Sequence, residues 1–468
     1  MAEVSTKARG FGFWLTRLVM VVAASFTACV QPAAAQSVLR DAETEALLND
    51  IARPLIVAAG LQPGNVRIVL LYDREINAFV AGGQIVYLHS GLLTSAENAN
   101  EVQGVIAHEL GHVTGGHIIR MNEGVQRATH IMILSLLLGA AAMAAGAGEA
   151  GMAALAAGQQ AALGTFLAFS RVQENSADQA GASFLHRAGI SGRGSLAFFR
   201  RLQNLEFRLN IPQDNGYART HPLNAERIAR LESQYEADPA WERPTDPALE
   251  ARFQRVRAKL SGYVDNPQAV MARYPASDRS IPARYARAYA YHRTAHPDEA
   301  MAEATALLTA VPHDPYFLEL MGQILLESGR PRDALVSLRE AVAVAPDQPL
   351  IGALLGHALI STEDAANFAE AKRVLRVAVQ RDNSNPFAWY QLGIVYDREG
   401  DQPRAALATA ERYNLTGQPT LALPNAEQAM IGLPVGTPDW LRAQDIAMVS
   451  RSAVQGQRGQ RRQQPQGQ

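Results

Sequence analysis

Cysteine is almost absent from this chain: one stands in 468 residues, Cys29. It lies in an N-terminal stretch that reads as an export signal over residues 1–35. Lys7, Arg9 and Arg17 form a basic start, Leu18 to Val30 is a short apolar run, and Ala33-Ala34-Ala35 offers small residues for cleavage before Gln36. Cleavage there leaves no cysteine, which excludes disulfides and a thiol nucleophile from the processed protein. An uncleaved anchor, or lipid attachment through Cys29, are the alternatives; Phe26 departs from the usual lipid-attachment pattern. An excess of one charge is missing too. The formal net charge is −2 and the isoelectric point about 6.6, so there is no electrostatic footprint for nucleic acid. With 48% hydrophobic and 19% charged residues, the composition is that of a globular protein long enough for two or three domains.

The most informative stretch present is His108-Glu109-Leu110-Gly111-His112, inside an apolar-periodic segment that predicts a helix over 96–118. Histidines four apart lie one turn apart on one helical face, so both imidazoles can reach one metal ion. The glutamate between them is placed to act as general base on a metal-activated water. A catalytic zinc takes three protein ligands and keeps a fourth position open. A helix predicted over 166–189 offers the third in Glu174-Asn175-Ser176-Ala177-Asp178. Asp178, one turn beyond Glu174, can accept a hydrogen bond from a ligand histidine and set its tautomer.

Around these helices the pattern is α+β, mainly helical. A helix at 42–59 precedes a strand at 66–72. A hairpin follows at 76–80 and 84–88 through Gly82-Gly83. Ile131 to Ala168 is rich in Ala, Gly, Leu and Met and predicts a helical hairpin, buried or partly exposed near the site, with a membrane span or contact to a membrane surface as alternatives. Further helices are expected at 196–209 and 224–236, and a linker at 263–280.

From Ile281 the chain repeats. Trp389, Leu392, Gly393, Tyr396 and Ala405 match the tetratricopeptide pattern. Leu318, Met321, Gly322, Leu325, Ala334, Leu338, Ala341 and Pro346 fill the same positions earlier. Starts near 281, 315, 349 and 386 predict four repeats over 281–420, stacked as an α-solenoid. A segment at 421–450 containing Trp440 is expected to dock on the last repeat. Residues 451–468, rich in Gln, Arg and Gly, are expected to be a disordered tail.

The pair His108-Glu-Leu-Gly-His112 and Glu174-Asn-Ser-Ala-Asp178 resembles metallopeptidase family 48, gluzincins that include HtpX and the CAAX prenyl endopeptidases. An export signal in place of transmembrane helices, with C-terminal repeats, resembles that family's periplasmic protease-chaperones. The resemblance implies a gluzincin-type peptidase domain over 36–262. One zinc would be held by His108, His112 and Glu174, with Glu109 as base. It implies a substrate-binding edge strand at Asn77-Ala78-Phe79, with Gly82-Gly83 and Ile85 beside it. It implies that His221, in Thr220-His221-Pro222, closes the open zinc position at rest. Arg227 is implied as a candidate for steadying the oxyanion. The function implied is periplasmic endopeptidase action in quality control and assembly of outer-membrane proteins. Unfolded or stalled clients, or the assembly machinery, would bind the repeats. The rival reading is chiefly a chaperone or adaptor whose proteolysis is latent.

Overall fold

The structure is a computed structural model that describes residues 37–144, 147–209, 221 and 225–463. The expected signal segment lies outside them, as do Thr220 and Pro222. The helix α1 (Ala42–Ala58) starts at Asp41, whose carboxylate accepts from the Thr44 backbone N–H. Three strands follow: β1 (Arg67–Leu71), β2 (Ala78–Ala81) and β3 (Ile85–His89). Their order is β1-β3-β2, with β1 parallel and β2 antiparallel to β3. The β2–β3 turn passes through Gly82 and Gly83, both at positive φ, which glycine adopts without a Cβ clash.

After the short α2 (Ser90–Ser95) comes the motif helix α3 (Ala99–Gly115). It is shorter than the apolar pattern suggests, because both ends are capped. The Asn98 side chain accepts from Glu101 N–H, and Gly116 turns left-handed at φ 61°. Helices α4 (His117–Ala144) and α5 (Gly148–Ala188) form a long hairpin. The expected hairpin and the expected helix from Phe166 are thus not separate: α5 runs unbroken to Gly189. Helices α6 (Arg193–Leu209), α7 (Ala225–Glu236) and α8 (Pro247–Val264) complete a core around Ile51, Val86, Val105, Ile106, Leu110 and Phe199.

Where α3 crosses α5, the backbones nearly touch. A Cβ on Gly111 would lie 2.5 Å from the Ala177 carbonyl oxygen, and one on Gly181 would lie 3.1 Å from Ala107. These glycines set how closely Glu174 approaches the two histidines.

The expected linker at 263–280 contains a helix, α9 (Pro267–Arg273), whose Val270 is buried against the repeats. The helix pairs are α10 (Ile281–Arg293) with α11 (Pro297–Ala310), α12 (Pro315–Glu327) with α13 (Pro331–Val344), α14 (Pro349–Ser361) with α15 (Phe368–Arg381), and α16 (Pro386–Arg398) with α17 (Gln402–Leu415). Proline in the first turn, often behind an Asp or Asn cap, starts most of them. Gly322 and Gly356 leave room for Leu338 and Leu375 of the paired helix. Where a docking segment and a disordered tail were expected, α18 (Pro419–Gly432) and α19 (Pro438–Gln463) make a fifth pair, with Trp440 packed against its core. Residues 451–463 therefore continue a helix. Gln and Arg are good helix formers, and no proline interrupts them before Pro465.

An ionic cluster joins the part of the chain before residue 265 to the repeats. Lys259 of α8 meets Asp41 at 2.5 Å and Glu43 at 3.4 Å, and the Tyr285 hydroxyl of α10 donates to Glu43 at 2.7 Å. Arg255 reaches both Glu43 and Asp314. Each charge has an opposite partner, which buried ions require. Glu319 of α12 is the exception: its Oε2 is buried without a hydrogen-bond partner. Burial pushes its carboxyl up to about 8, against the lowering effect of Lys259.

Two outcomes follow. Gly111→Ala should lower stability by about 1–3 kcal/mol through overpacking, whereas Gly164→Ala, with open space at its Cβ, should gain up to about 1 kcal/mol. Denaturant midpoints measure both; equal effects would remove the crossing as a constraint. Glu319 should make stability fall with pH. The folded chain keeps a proton that the unfolded chain loses near 4.5, so the stabilisation is full below that value and is lost as pH rises through about 8. Urea midpoints of Glu319→Gln at pH 5, 6.5 and 8 should fall less than those of the parent. An unchanged slope would assign the decline elsewhere.

Candidate metal centre

Helix α3 delivers His108 and His112 one turn apart, and the Gly111–Ala177 crossing brings α5 against that face. Glu174 then stands between the rings: His108 Nε2 lies 3.4 Å from its Oε2 and His112 Nε2 lies 3.4 Å from its Oε1. The two Nε2 atoms are 3.1 Å apart. His221 closes the group from the other side. Its Nδ1 is 3.1 Å and 3.2 Å from the Glu174 oxygens and 3.3 Å from His108 Nε2. One donor atom from each of the four side chains lies within 4.8 Å of the others, and all four side chains are buried.

Outside this ring, Asp178 Oδ1 lies 3.0 Å from His108 Nδ1. Arg227 donates from Nε and Nη2 to Asp178 at 2.8 and 2.9 Å, and its Nη1 lies 3.1 Å from Glu174. Arg227, expected as a candidate for steadying the oxyanion, sets its guanidinium on these two carboxylates. Asn77 and Ala78 lie at the start of β2, an edge of the sheet among the described strands, and Phe79 stacks on Tyr87 at 5.1 Å. The Asn77 carbonyl accepts from His89 N–H inside the sheet, while the Ala78 carbonyl meets His221 Nε2 at 3.2 Å. His221 thus bridges the donor cluster and the strand edge.

Sequence reading missed His117. Its Nδ1 lies 2.9 Å from His112 Nδ1, on the side of the ring away from Glu174. Gly115 makes this possible, since a Cβ there would collide with the His117 ring. The available signal was a third histidine five residues beyond His112. Gly111 was missed as well, because nothing local marks a helix crossing.

The electrostatics describe a site that calls for positive charge. Burial opposes protonation of His108, but Asp178 and Glu174 outweigh it and hold the imidazolium up to about 10. Burial would raise Glu174, yet His221, His108 and His112 keep it well below the usual carboxylate range. Asp178 is lowered by His108 and Arg227 against its burial. Burial, then His112, presses His117 down to about 4 and keeps it neutral. Glu109 is fully buried and neither of its carboxylate oxygens has a hydrogen-bond partner; His221 Nε2 is 3.5 Å from one of them. Orphaned carboxylate oxygens beside converging imidazole and carboxylate donors fit a divalent metal and a polar reactant next to it.

Fold and site together define a metallopeptidase of the His-Glu-x-x-His type. The match of residues 40–235 to Peptidase family M48 makes this an M48 peptidase domain, and the chain is a metalloendopeptidase with C-terminal tetratricopeptide-type repeats. A beta-barrel assembly-enhancing protease of Yersinia pestis is 26% identical over 83% of this chain and 80% of its own length. The metalloprotease LoiP of Escherichia coli (strain K12) is 31% identical over 38% of this chain and 65% of its own. Among solved structures, the tetratricopeptide protein YrrB is 19% identical, covering 37% of this chain and 91% of that one, with a TM-score of 0.31.

Proposed function

We propose that the chain is a zinc endopeptidase of the periplasm, acting in quality control and assembly of outer-membrane β-barrel proteins. The observation that carries the enzymatic part is the convergence of His108, His112 and Glu174 beside the buried carboxylate of Glu109, whose oxygens have no hydrogen-bond partner. The likeness to a beta-barrel assembly-enhancing protease over 83% of this chain supports the client class. The basic and apolar leader supports export.

His108, His112 and Glu174 would hold the zinc, a mixed nitrogen and oxygen set that suits it. Zinc bound there supplies Lewis acidity that makes water a nucleophile near neutral pH and polarises a carbonyl. Glu109 takes the proton from the attacking water and returns it to the leaving amine. Asp178 fixes the His108 tautomer, and Arg227 holds Asp178 and Glu174 in place. His117 does for His112 what Asp178 does for His108. An extended client adds to the β2 edge, pairing first at the Ala78 carbonyl. The repeats, proposed to span 281–420, present clients or the assembly machinery.

His221 acts as a gate in this reading. It stands on the Ala78 carbonyl and beside Glu174 at once, so a client strand and His221 compete for one place. The same contact favours the second reading, a chaperone whose proteolysis is latent until His221 leaves.

Glu109→Gln should keep metal content near one per chain by elemental analysis while losing hydrolysis by at least about 100-fold. Normal cleavage by this variant would sink the assignment. If it still supports β-barrel assembly, the chaperone role is independent of cleavage. His221→Ala should raise cleavage of a short unstructured peptide by roughly 3- to 10-fold if about 70–90% of the resting enzyme is closed. A fall in activity with retained metal would instead give His221 a part in catalysis.

A further inference from the structure

The α4–α5 hairpin is packed inside out. Its small residues face inward: Gly124 lies against the Phe169 ring, Gly139 against Leu155, Gly151 against Met143, and Gly158 against Ser135. Most of its large apolar side chains face outward. Ile133, Leu134, Leu136, Leu137 and Leu138 are each 51–63% exposed. At about 100° per residue these five positions cover roughly 200° of the helix circumference. A protein partner seated in one groove covers a stripe, and a water-soluble hairpin buries its leucines against the partner helix. Small residues between helices with leucines all round is the arrangement that lipid permits, because acyl chains solvate every outer face.

Charge and length point the same way. Residues 128–148 and 150–170 contain no Asp, Glu, Lys or Arg. The helical parts of these stretches, 128–144 and 150–170, reach about 25 Å and about 30 Å, close to the ~30 Å of bilayer hydrocarbon. Arg120, Arg127 and Arg171 surround the base of the hairpin against a single Glu123. Basic groups there suit the headgroup level of an anionic leaflet.

We infer that the hairpin, residues 131–168, inserts into a phospholipid bilayer, with the flanking Arg127 and Arg171 at the near headgroups and Glu149, at its tip, at the far headgroup level. The consequence concerns the metal centre. Helix α5 passes without a break from the inserted segment to Glu174 and Asp178. Glu174 is three residues beyond Arg171, about 5 Å along the helix axis. The peptidase therefore works at the bilayer surface, where its neighbours are chains emerging from or entering a membrane.

The test uses the protein purified after export and vesicles of phosphatidylethanolamine and phosphatidylglycerol. The parent should float with the vesicles. L134Q/L137Q/L138Q should lose roughly tenfold in bound fraction while retaining cleavage of a short soluble peptide. Independently, an environment-sensitive fluorophore on Leu137→Cys should shift to the blue and be quenched more by nitroxide on acyl chains than by nitroxide on headgroups. The same probe on Val344→Cys, an exposed apolar site of the repeats, should not respond. A parent that does not float, or a probe at 137 that stays in water, overturns the inference. So does a lipid-free dimer that disperses in the triple variant, which would make a second copy the occupant.

Discussion

The close crossing of α3 and α5 is the constraint on which the site depends. Gly111 meets Ala177, and Ala107 meets Gly181, with no side-chain atoms to spare between the backbones. Two helices normally pack 8–10 Å apart depending on the side chains between them. Glycine at the contact permits the near end of that range. Only then can a carboxylate on α5 stand 3.4 Å from imidazoles on α3. The glycine within the motif is thus part of the metal centre without touching it, and every distance in the ligand cluster inherits from this packing.

The cluster also illustrates why buried charge must be balanced. Glu109, Glu174 and Asp178 lie within a few ångströms of each other's partners, under hydrophobic cover from Phe199 and the α3 core. Arg227 supplies one fixed positive charge to two of them. The remainder falls on the histidines, which is why His108 holds its proton so firmly. A dication answers the same demand in place of the proton on His108. His117 contributes by being neutral, since a charged ring there would repel His112 and anything that His112 holds.

The connection between peptidase and repeats is a packed interface in which α8 lies against α10. Lys259 and Arg255 serve both sides at once, through Asp41 and Glu43 on α1 and through Tyr285 and Asp314 on the repeats. Arg255–Asp314 and Tyr285–Glu43 cross this interface, and removing one partner while it stays closed would leave a buried polar group unpaired.

Much of this was legible in the residues themselves. The two-histidine turn, the glutamate and aspartate one turn apart on a later helix, the strand and hairpin, and the starts of the four repeats follow from periods and caps that act over a few residues. Local chemistry determines them, so a linear reading reaches them. What the reading misplaced was tertiary. The resemblance gave Arg227 as a candidate for steadying the oxyanion, and only packing shows that its guanidinium stands on Asp178 and Glu174. The tail was judged by composition, and a proline-started helix carries it to Gln463. His117 and Gly111 were invisible because their meaning arises only where two helices meet. The hairpin showed its apolarity in sequence, but which faces it keeps outward is decided by the glycines between its helices. Residue type and spacing thus set the chemistry this chain can perform. Tertiary packing decided which groups share it, because the free energy of a buried charge depends on what stands beside it, at distances the sequence does not contain.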